Sequence, residues 1–488
     1  MDPGVSARIH RLMNPTDAER GYGADANRTV RQRPGQDAPE PLVCSGTASP
    51  TRARAPYTHK AGSIPQAAAG SSGPAPAHLQ ENRMPLDVPA LRAQIPALSA
   101  GSARFDAPGG TQTPQPVIDA VVEALSRPLA VRGTQNEGER NAEAIVAGAR
   151  AALADLVGAE PRGIVFGRSS TQLTYDLART LAKGWGPGDE VVVSRLDHDA
   201  NIRPWVQAAQ AVGATVRWVD FEPDNGELPP ARFAEVLSAR TRLVAVTGAS
   251  NLIGTRPDLP AIAELVHRAG ALLHVDAVHL AAHGSVCLDT LGADFLVCSP
   301  YKFLGPHMGV LASRPELLET LRPDKLLPST DAIPERLELG TLPYEFLAAA
   351  RAAVDFLASL APGVDGTRRE RLAAAFEEIE AHEDALRVRI EKGLSALDGI
   401  VVHSRAARRT PTLLVTFPGR SAADASRFLA ERGVDAPAGS FYALEASRHL
   451  GLGDAGGLRI GLAPYNSEED ADRLLEGLAA FLAQTPRD

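Results

Sequence analysis

Between residues 163 and 314 the chain repeats one motif: a short apolar run rich in β-branched residues, closed by a glycine or polar break. The runs are GIVFG (163–167), EVVVSRL (190–196), ATVRWVD (214–220), RLVAVTG (242–248), ALLHVDAVH (271–279), FLVCS (295–299) and GVLASR (309–314). Stretches such as TQLTYDLARTLAKG and LPAIAELVHRAG lie between them and carry apolar residues at helical spacing. Apolar runs this short and continuous suit strands buried on both faces, and their alternation with helices suits parallel neighbours joined by crossovers. The pattern predicts an α/β fold whose large domain holds a mostly parallel seven-stranded sheet. Ligands of such a sheet gather at the carboxyl ends of its strands.

Downstream the periods change. A long amphipathic helix is expected over 368–397, strands over 400–403 and 412–417, a helix over 422–432, a strand over 457–463 and a last helix from Ser467. These make a smaller α+β C-terminal domain. Residues 1–83 are rich in Pro, Gly, Ala, Ser and Arg without apolar periodicity, so they are expected to be disordered. They lack the apolar stretch of a secretory signal, and translation starting at Met84 is an alternative explanation for them. The expected organisation is a disordered extension over 1–83, a large domain over 84–345 whose first residues pack with the small one, and a small domain over 346–488. No internal repeat is found.

The 488 residues are 44% hydrophobic and 22% charged, with a formal net charge of −9. That balance excludes a basic field for nucleic acid or an anionic membrane surface. No apolar run reaches the length of a spanning helix. A small-molecule partner in the cytoplasm is expected. Three cysteines, Cys44, Cys287 and Cys298, form no CxxC pair, so neither a disulfide framework nor a metal site is indicated. Lysines number only five among 50 basic residues: Lys60, Lys183, Lys302, Lys325 and Lys392. Where charge alone matters this chain uses arginine. A lysine in an interior-looking segment therefore calls for a chemical reason, since an amine can lose its proton and form an imine while a guanidinium cannot.

Lys302 is that lysine, in SPYKFLGPHMG just past the run FLVCS. Taken alone, a lysine there is usually a solvated surface residue. Asp276, inside the nearly apolar HVDAVH, needs a cationic or hydrogen-bonding partner. A pyridinium nitrogen would serve, and so would a structural arginine. GRSSTQLT opens a helix after GIVFG, and Ser170 and Thr171 there could meet a phosphate or simply cap the helix. His198, in DHDANIRPW beyond EVVVSRL, could stack on a ring and move protons, or be an exposed loop histidine.

Seven motifs in order carry a family resemblance: FDAPGGTQ (105–112), DHDANIRPW, TGASNLIGT (247–255), HVDAVH, SPYKFLGP, LELGT (337–341) and RIGLAPYNSEEDADRLLEGL (459–478). Over about 105–482 the chain resembles class V, fold-type I pyridoxal 5'-phosphate (PLP) enzymes of the cysteine desulfurase-like group. The resemblance implies Lys302 as the lysine holding PLP as a Schiff base, with His198 beside it as the second catalytic group, stacked on the ring. It implies Asp276 at the ring nitrogen, Asn251 beside the cofactor, and His279 near the phenolic oxygen where relatives carry glutamine. Ser170, Thr171, Ser299 and Tyr301 fall at phosphate positions, the last in place of a usual histidine. Arg459 would grip the substrate carboxylate. Thr341 would reach the phosphate of a neighbouring subunit, which implies a homodimer with shared sites.

The resemblance breaks at APAGSFYALE (436–445), where desulfurases carry a loop cysteine that accepts sulfur; Tyr442 stands in its place, and Pro437 replaces an arginine often found nearby. Cys44 lies in the expected disordered tail, and Cys287 and Cys298 are expected to be buried and inert. The expectation is a PLP enzyme acting on an amino acid, with desulfurase-like or C–S lyase chemistry. A class V aminotransferase or an epimerase is the alternative, and a non-catalytic binding protein the third reading.

Overall fold

The computed structural model describes residues 85–484. The segment expected to be disordered, with Cys44 and Lys60, lies outside the described residues.

The seven apolar runs form one sheet. Numbering follows a two-residue first strand, β1 (Ala103–Arg104). The sheet comprises β2 (Ile164–Gly167), β3 (Glu190–Ser194), β4 (Thr215–Val219), β5 (Thr241–Thr247), β6 (Leu272–Asp276), β7 (Phe295–Cys298) and β8 (Gly309–Ser313). Their order is β2-β8-β7-β6-β5-β3-β4. β8 runs antiparallel to both neighbours, and all other pairings are parallel.

The period-2 alternation sorts each strand's side chains between two cores. Val192, Val244, Val246, Leu273, Val275 and Leu296 join one cluster with the helices Glu137–Val157, Leu259–Arg268 and Tyr344–Ala358. Val191, Val193, Leu243, Ala245, Phe295 and Val297 join the other with Ser170–Ala182 and Arg203–Val212. Because both faces are covered, the central strands read as unbroken apolar runs. Burying each such side chain contributes roughly 1.5–3 kcal/mol against the conformational entropy of ordering.

A second sheet is antiparallel, with order β12-β13-β10-β9: β9 (Val401–Val402), β10 (Thr412–Thr416), β12 (Ala438–Gly439) and β13 (Gly457–Gly461). β11 (Val434–Asp435) pairs in parallel with β1. Ala103 and Phe105 thereby enter the core of this second unit, with Leu413, Leu458 and Leu474. The helix Arg368–Ser395 starts on a capping box of Thr367 and Glu370 and links the two cores. Its Leu372, Phe376 and Ile379 belong to the large cluster, while Leu386, Ile390 and Leu394 belong to the small one. The helix Tyr344–Ala358 packs on Gln115–Ser126 and Glu137–Val157, against the large sheet's layer. Among the described residues no helix is long and apolar enough to cross a membrane.

Candidate active site

Five strands deliver side chains to one edge of the large sheet. β2 ends three residues before Ser170, β3 four before His198 and β5 four before Asn251; β6 ends on Asp276, three before His279, and β7 ends four before Lys302. A cavity of about 660 Å³ opens there. Its wall includes Ser170, Thr171, His198, Asn251, Asp276, His279, Tyr301, Lys302 and Arg459. Ser299 lies outside that wall, fully buried behind it, and its Oγ has no partner. Thr341 is exposed and away from the cavity, beside exposed Leu339.

Lys302 donates from Nζ to the carbonyl oxygen of Pro108. Burial, and then the nearby Arg459 cation, push its amine down to about 8, against the smaller opposing pull of Asp106 and Asp276. A minority of the amine, far larger than for a free lysine, is thus neutral near physiological pH. Asp276 accepts from the backbone N–H of Val278 at 2.9 Å through Oδ1. Burial pushes its carboxyl up to about 6, against the smaller opposing effects of the Val278 N–H and the Lys302 cation.

His198 accepts at Nδ1 from the N–H of Ala200, 3.0 Å away, and its ring stacks on Tyr442 at 5.5 Å between centroids. Burial, followed by the charge of Lys302, pushes it down to about 4, so it is a neutral ring at pH 7. Just before it Asp197 is fully buried, accepting from Ser194 Oγ and Asn201 Nδ2 at 2.6 Å each. Those bonds hold the loop that presents His198.

Ser169, not Ser170, caps the helix Ser170–Ala182, accepting from the N–H of Gln172. Ser170 and Thr171 therefore occupy its first turn, where backbone N–H groups have no helical acceptor. Gly309 makes the approach of this turn possible: a Cβ there would lie 2.2 Å from the carbonyl carbon of Ser169 and 2.5 Å from the nitrogen of Ser170.

Arg459, from β13, is buried. It donates to Asp106 and to the carbonyl oxygen of Asn251, the latter at 3.2 Å, and its plane lies over Phe441, 3.7 Å from the ring centroid. Phe441 and Tyr442 adopt left-handed backbone angles, φ 52° and 58°, unusual for bulky residues. The loop is held there by Asn251 Nδ2 donating to the carbonyl oxygen of Phe441 and the N–H of Asp199 donating to that of Tyr442. Tyr442 itself is largely exposed at the mouth of the cavity.

Asp106, Asp197 and Phe441 were not singled out from the residues alone. The signals for the first two were present: FDAPGGTQ and DHDANIRPW each contain the acid. Phe441 left no comparable mark, since its role depends on a fold-back onto Arg459. Cys298 is buried in β7, its thiol pushed up to about 12 by burial, and Cys287 sits beside Gly158; neither contributes to the cavity.

The chain is similar to known proteins in sequence and in fold. Residues 104–474 match the family model described as Aminotransferase class-V. The chain is 33% identical over 400 residues to the uncharacterized protein MT3887 of Mycobacterium tuberculosis, covering 82% of this chain and all of that one. It is 31% identical over 406 residues to a probable cysteine desulfurase of Pseudomonas aeruginosa, covering 79% and 96%. Among solved structures, the cysteine desulfurase CsdA of Escherichia coli superposes with a TM-score of 0.72 at 27% identity, covering 81% of this chain and 98% of that one.

Proposed function

Because the chain belongs to the class-V aminotransferase family, whose enzymes are PLP-dependent, we propose that it is a PLP enzyme cleaving the C–S bond of a cysteine-like amino acid without storing the sulfur on a thiol. The observation that carries this reading is that Lys302 and Tyr442 line one cavity to which no described cysteine contributes.

The residues present fit the cofactor. The buried Ser299 Oγ and Asn251 Oδ1 lack partners, the first turn of Ser170–Ala182 offers free N–H groups, and Asp276 is a buried carboxyl in want of a cation. In this reading Lys302 holds the cofactor, Asp276 its ring nitrogen, His198 its ring face and His279 its phenolic oxygen. Ser170, Thr171 and Tyr301 border its phosphate, with Ser299 buried behind the wall and Asn251 alongside. Bound PLP would supply an electron sink that acidifies the α-proton of an amino acid.

Lys302 is suited to remove and return that proton, since its amine lies near neutrality. Arg459 would orient the substrate through its carboxylate. To do so the carboxylate must displace Asp106 from the guanidinium. Asp276, whose carboxylate form a facing cation would favour further, would keep the ring nitrogen charged. His198, held neutral, packs on the ring without adding charge.

Thr341 stands outside its own cavity beside exposed Leu339, with Leu326 and Leu327 also exposed. That surface supports a homodimer in which Thr341 enters the cavity of a second copy. The low cysteine count supports a reducing, cytoplasmic setting.

The deciding experiment incubates PLP-loaded protein with cysteine, cystine, selenocysteine and cysteine sulfinate and identifies products. Pyruvate and ammonia are expected. Alanine, with the sulfur recovered as sulfide when a thiol reductant is added, would mean a desulfurase despite Tyr442. A requirement for a keto acid would mean an aminotransferase.

A further inference from the structure

His279 follows β6 and forms part of the cavity wall, yet its Nε2 faces the second sheet. It lies 3.0 Å from Thr410 Oγ1 and 2.9 Å from Thr412 Oγ1. All three residues are buried, 4%, 1% and 0% exposed. No described residue hydrogen-bonds its Nδ1. Gly254 lets the two units meet at this point. It has φ 77°, and a Cβ there would lie 2.8 Å and 2.9 Å from the carbonyl oxygens of Thr410 and Thr412.

Three hydrogens compete at this contact: the two hydroxyl hydrogens and the single N–H of a neutral imidazole. The Gly254 carbonyl oxygen, 3.3 Å from Thr410 Oγ1, is one acceptor, and the unprotonated ring nitrogen is the other. Were the ring hydrogen on Nε2, Thr410 could still donate to Gly254, but the hydroxyl of Thr412 would be a buried donor with no acceptor, which native interiors avoid. With the hydrogen on Nδ1, the Nε2 lone pair takes the hydrogen of Thr412 and shares that of Thr410. Every donor is then satisfied except Nδ1–H, which is left for whatever the cavity holds.

The ring stays neutral. Burial holds His279 well below its ordinary value, and His283, whose ring lies 4.7 Å away and is bonded to the buried Glu383 at 2.9 Å, acts in the same sense, as do Lys302 and Arg459. The tautomer, not the charge, therefore decides what the ring offers.

We propose that Thr410 and Thr412 are positioning residues that donate to Nε2 of His279, keep its hydrogen on Nδ1, and so present a fixed N–H donor to the phenolic oxygen of bound PLP. This rests on the reading that PLP occupies the cavity. It explains how a histidine can serve where relatives carry a glutamine, since the amide supplies an N–H at the same place.

Two measurements test it. In cofactor-free protein carrying ¹⁵N-histidine, the signals lost in His279→Gln should show a pyrrole-type Nδ1 and a pyridine-type Nε2 at neutral pH; the reverse tautomer or a charged ring overturns the proposal. In PLP-loaded protein, Thr410→Val/Thr412→Val should raise the pH midpoint of the visible absorbance change by about one unit, the effect of losing one hydrogen bond to an anionic oxygen. Thr412→Ser and His279→Gln, which keep a hydroxyl and an amide donor respectively, should leave the midpoint near that of the unaltered protein. An unshifted midpoint in the double variant overturns the proposal. Failure of the unaltered protein to take up PLP would sink the proposed function instead, and the first measurement would still decide the tautomer.

Discussion

The guanidinium of Arg459 lies 3.7 Å from the ring centroid of Phe441, a residue 18 positions upstream whose backbone is held in the left-handed region. The contact ties the mouth loop to the residue assigned to the substrate carboxylate. A cation–π contact of this kind is worth about 0.5–2 kcal/mol. Phe441→Ala should therefore raise KM for the amino-acid substrate roughly 2- to 30-fold, with a smaller change in kcat. Steady-state kinetics on one substrate check it, and an unchanged KM would detach the loop from substrate binding.

Asp106 competes for the same guanidinium. Its side chain is 45% exposed, so solvent screens the pair, and its removal should release about 1 kcal/mol or less. Asp106→Asn should tighten binding of carboxylate ligands up to about fivefold, read by titration of PLP-loaded protein. Weaker binding would mean that Asp106 orients Arg459 and does not mask it.

At the opposite wall, Gly309 leaves no room for a methyl group against Ser169 and Ser170. The obstructing atoms are backbone, so Gly309→Ala must shift the helix start. The expected loss is about 1–3 kcal/mol of stability, measured by thermal unfolding, and at least about tenfold in PLP affinity. Unaltered affinity would remove that helix start from the phosphate site.

Asp197 yields a pH prediction. Burial pushes its carboxyl up to about 8, so between about pH 4 and pH 8 the folded chain keeps a proton that the unfolded chain has released. Unfolding free energy contributed by this group falls as pH rises through that window. Asp197→Asn, always neutral, should gain stability relative to the unaltered protein as pH climbs from 5 to 8, whatever it loses from the Ser194 bond at low pH. Parallel melting curves across that range would contradict it.

Thiol chemistry separates this protein from a sulfur-storing enzyme. The thiol of Cys298 is buried and held protonated, and Cys287 lies outside the cavity. Alkylation of the loaded native protein with iodoacetamide should change activity less than twofold. Complete inactivation would point to a sulfur-carrying cysteine after all.

Strand content and the edge that bears the site were legible in the residues, because each is a local property. A run such as EVVVS can bury both faces only inside a covered sheet, and it matched β3 to within two residues at its end. The expected helix over 368–397 stops at Ser395, and the strand over 457–463 stops at Gly461. Past Gly461 the antiparallel register continues for one bond, from the N–H of Leu462 to the carbonyl oxygen of Pro411, and ends there because proline has no N–H to return. Nothing local foretold that Ser169 and not Ser170 would cap its helix, since both are serines at the same junction.

By itself, then, the order of residues determined which side chains follow a strand end: Ser170, His198, Asn251, His279 and Lys302 each lie within four positions of one. It could not determine which of them meet. Arg459 finds Asp106 across 353 positions, Lys302 finds Pro108 across 194 and His279 finds Thr410 across 131. Those meetings, and the burial that brings Lys302 down to about 8 and Asp276 up to about 6, arise only when the crossovers stack the strands as β7-β6-β5-β3 and the second sheet closes over their ends. Hydrogen-bond partners and desolvation are properties of three-dimensional neighbours, and neither is written in the neighbours along the chain.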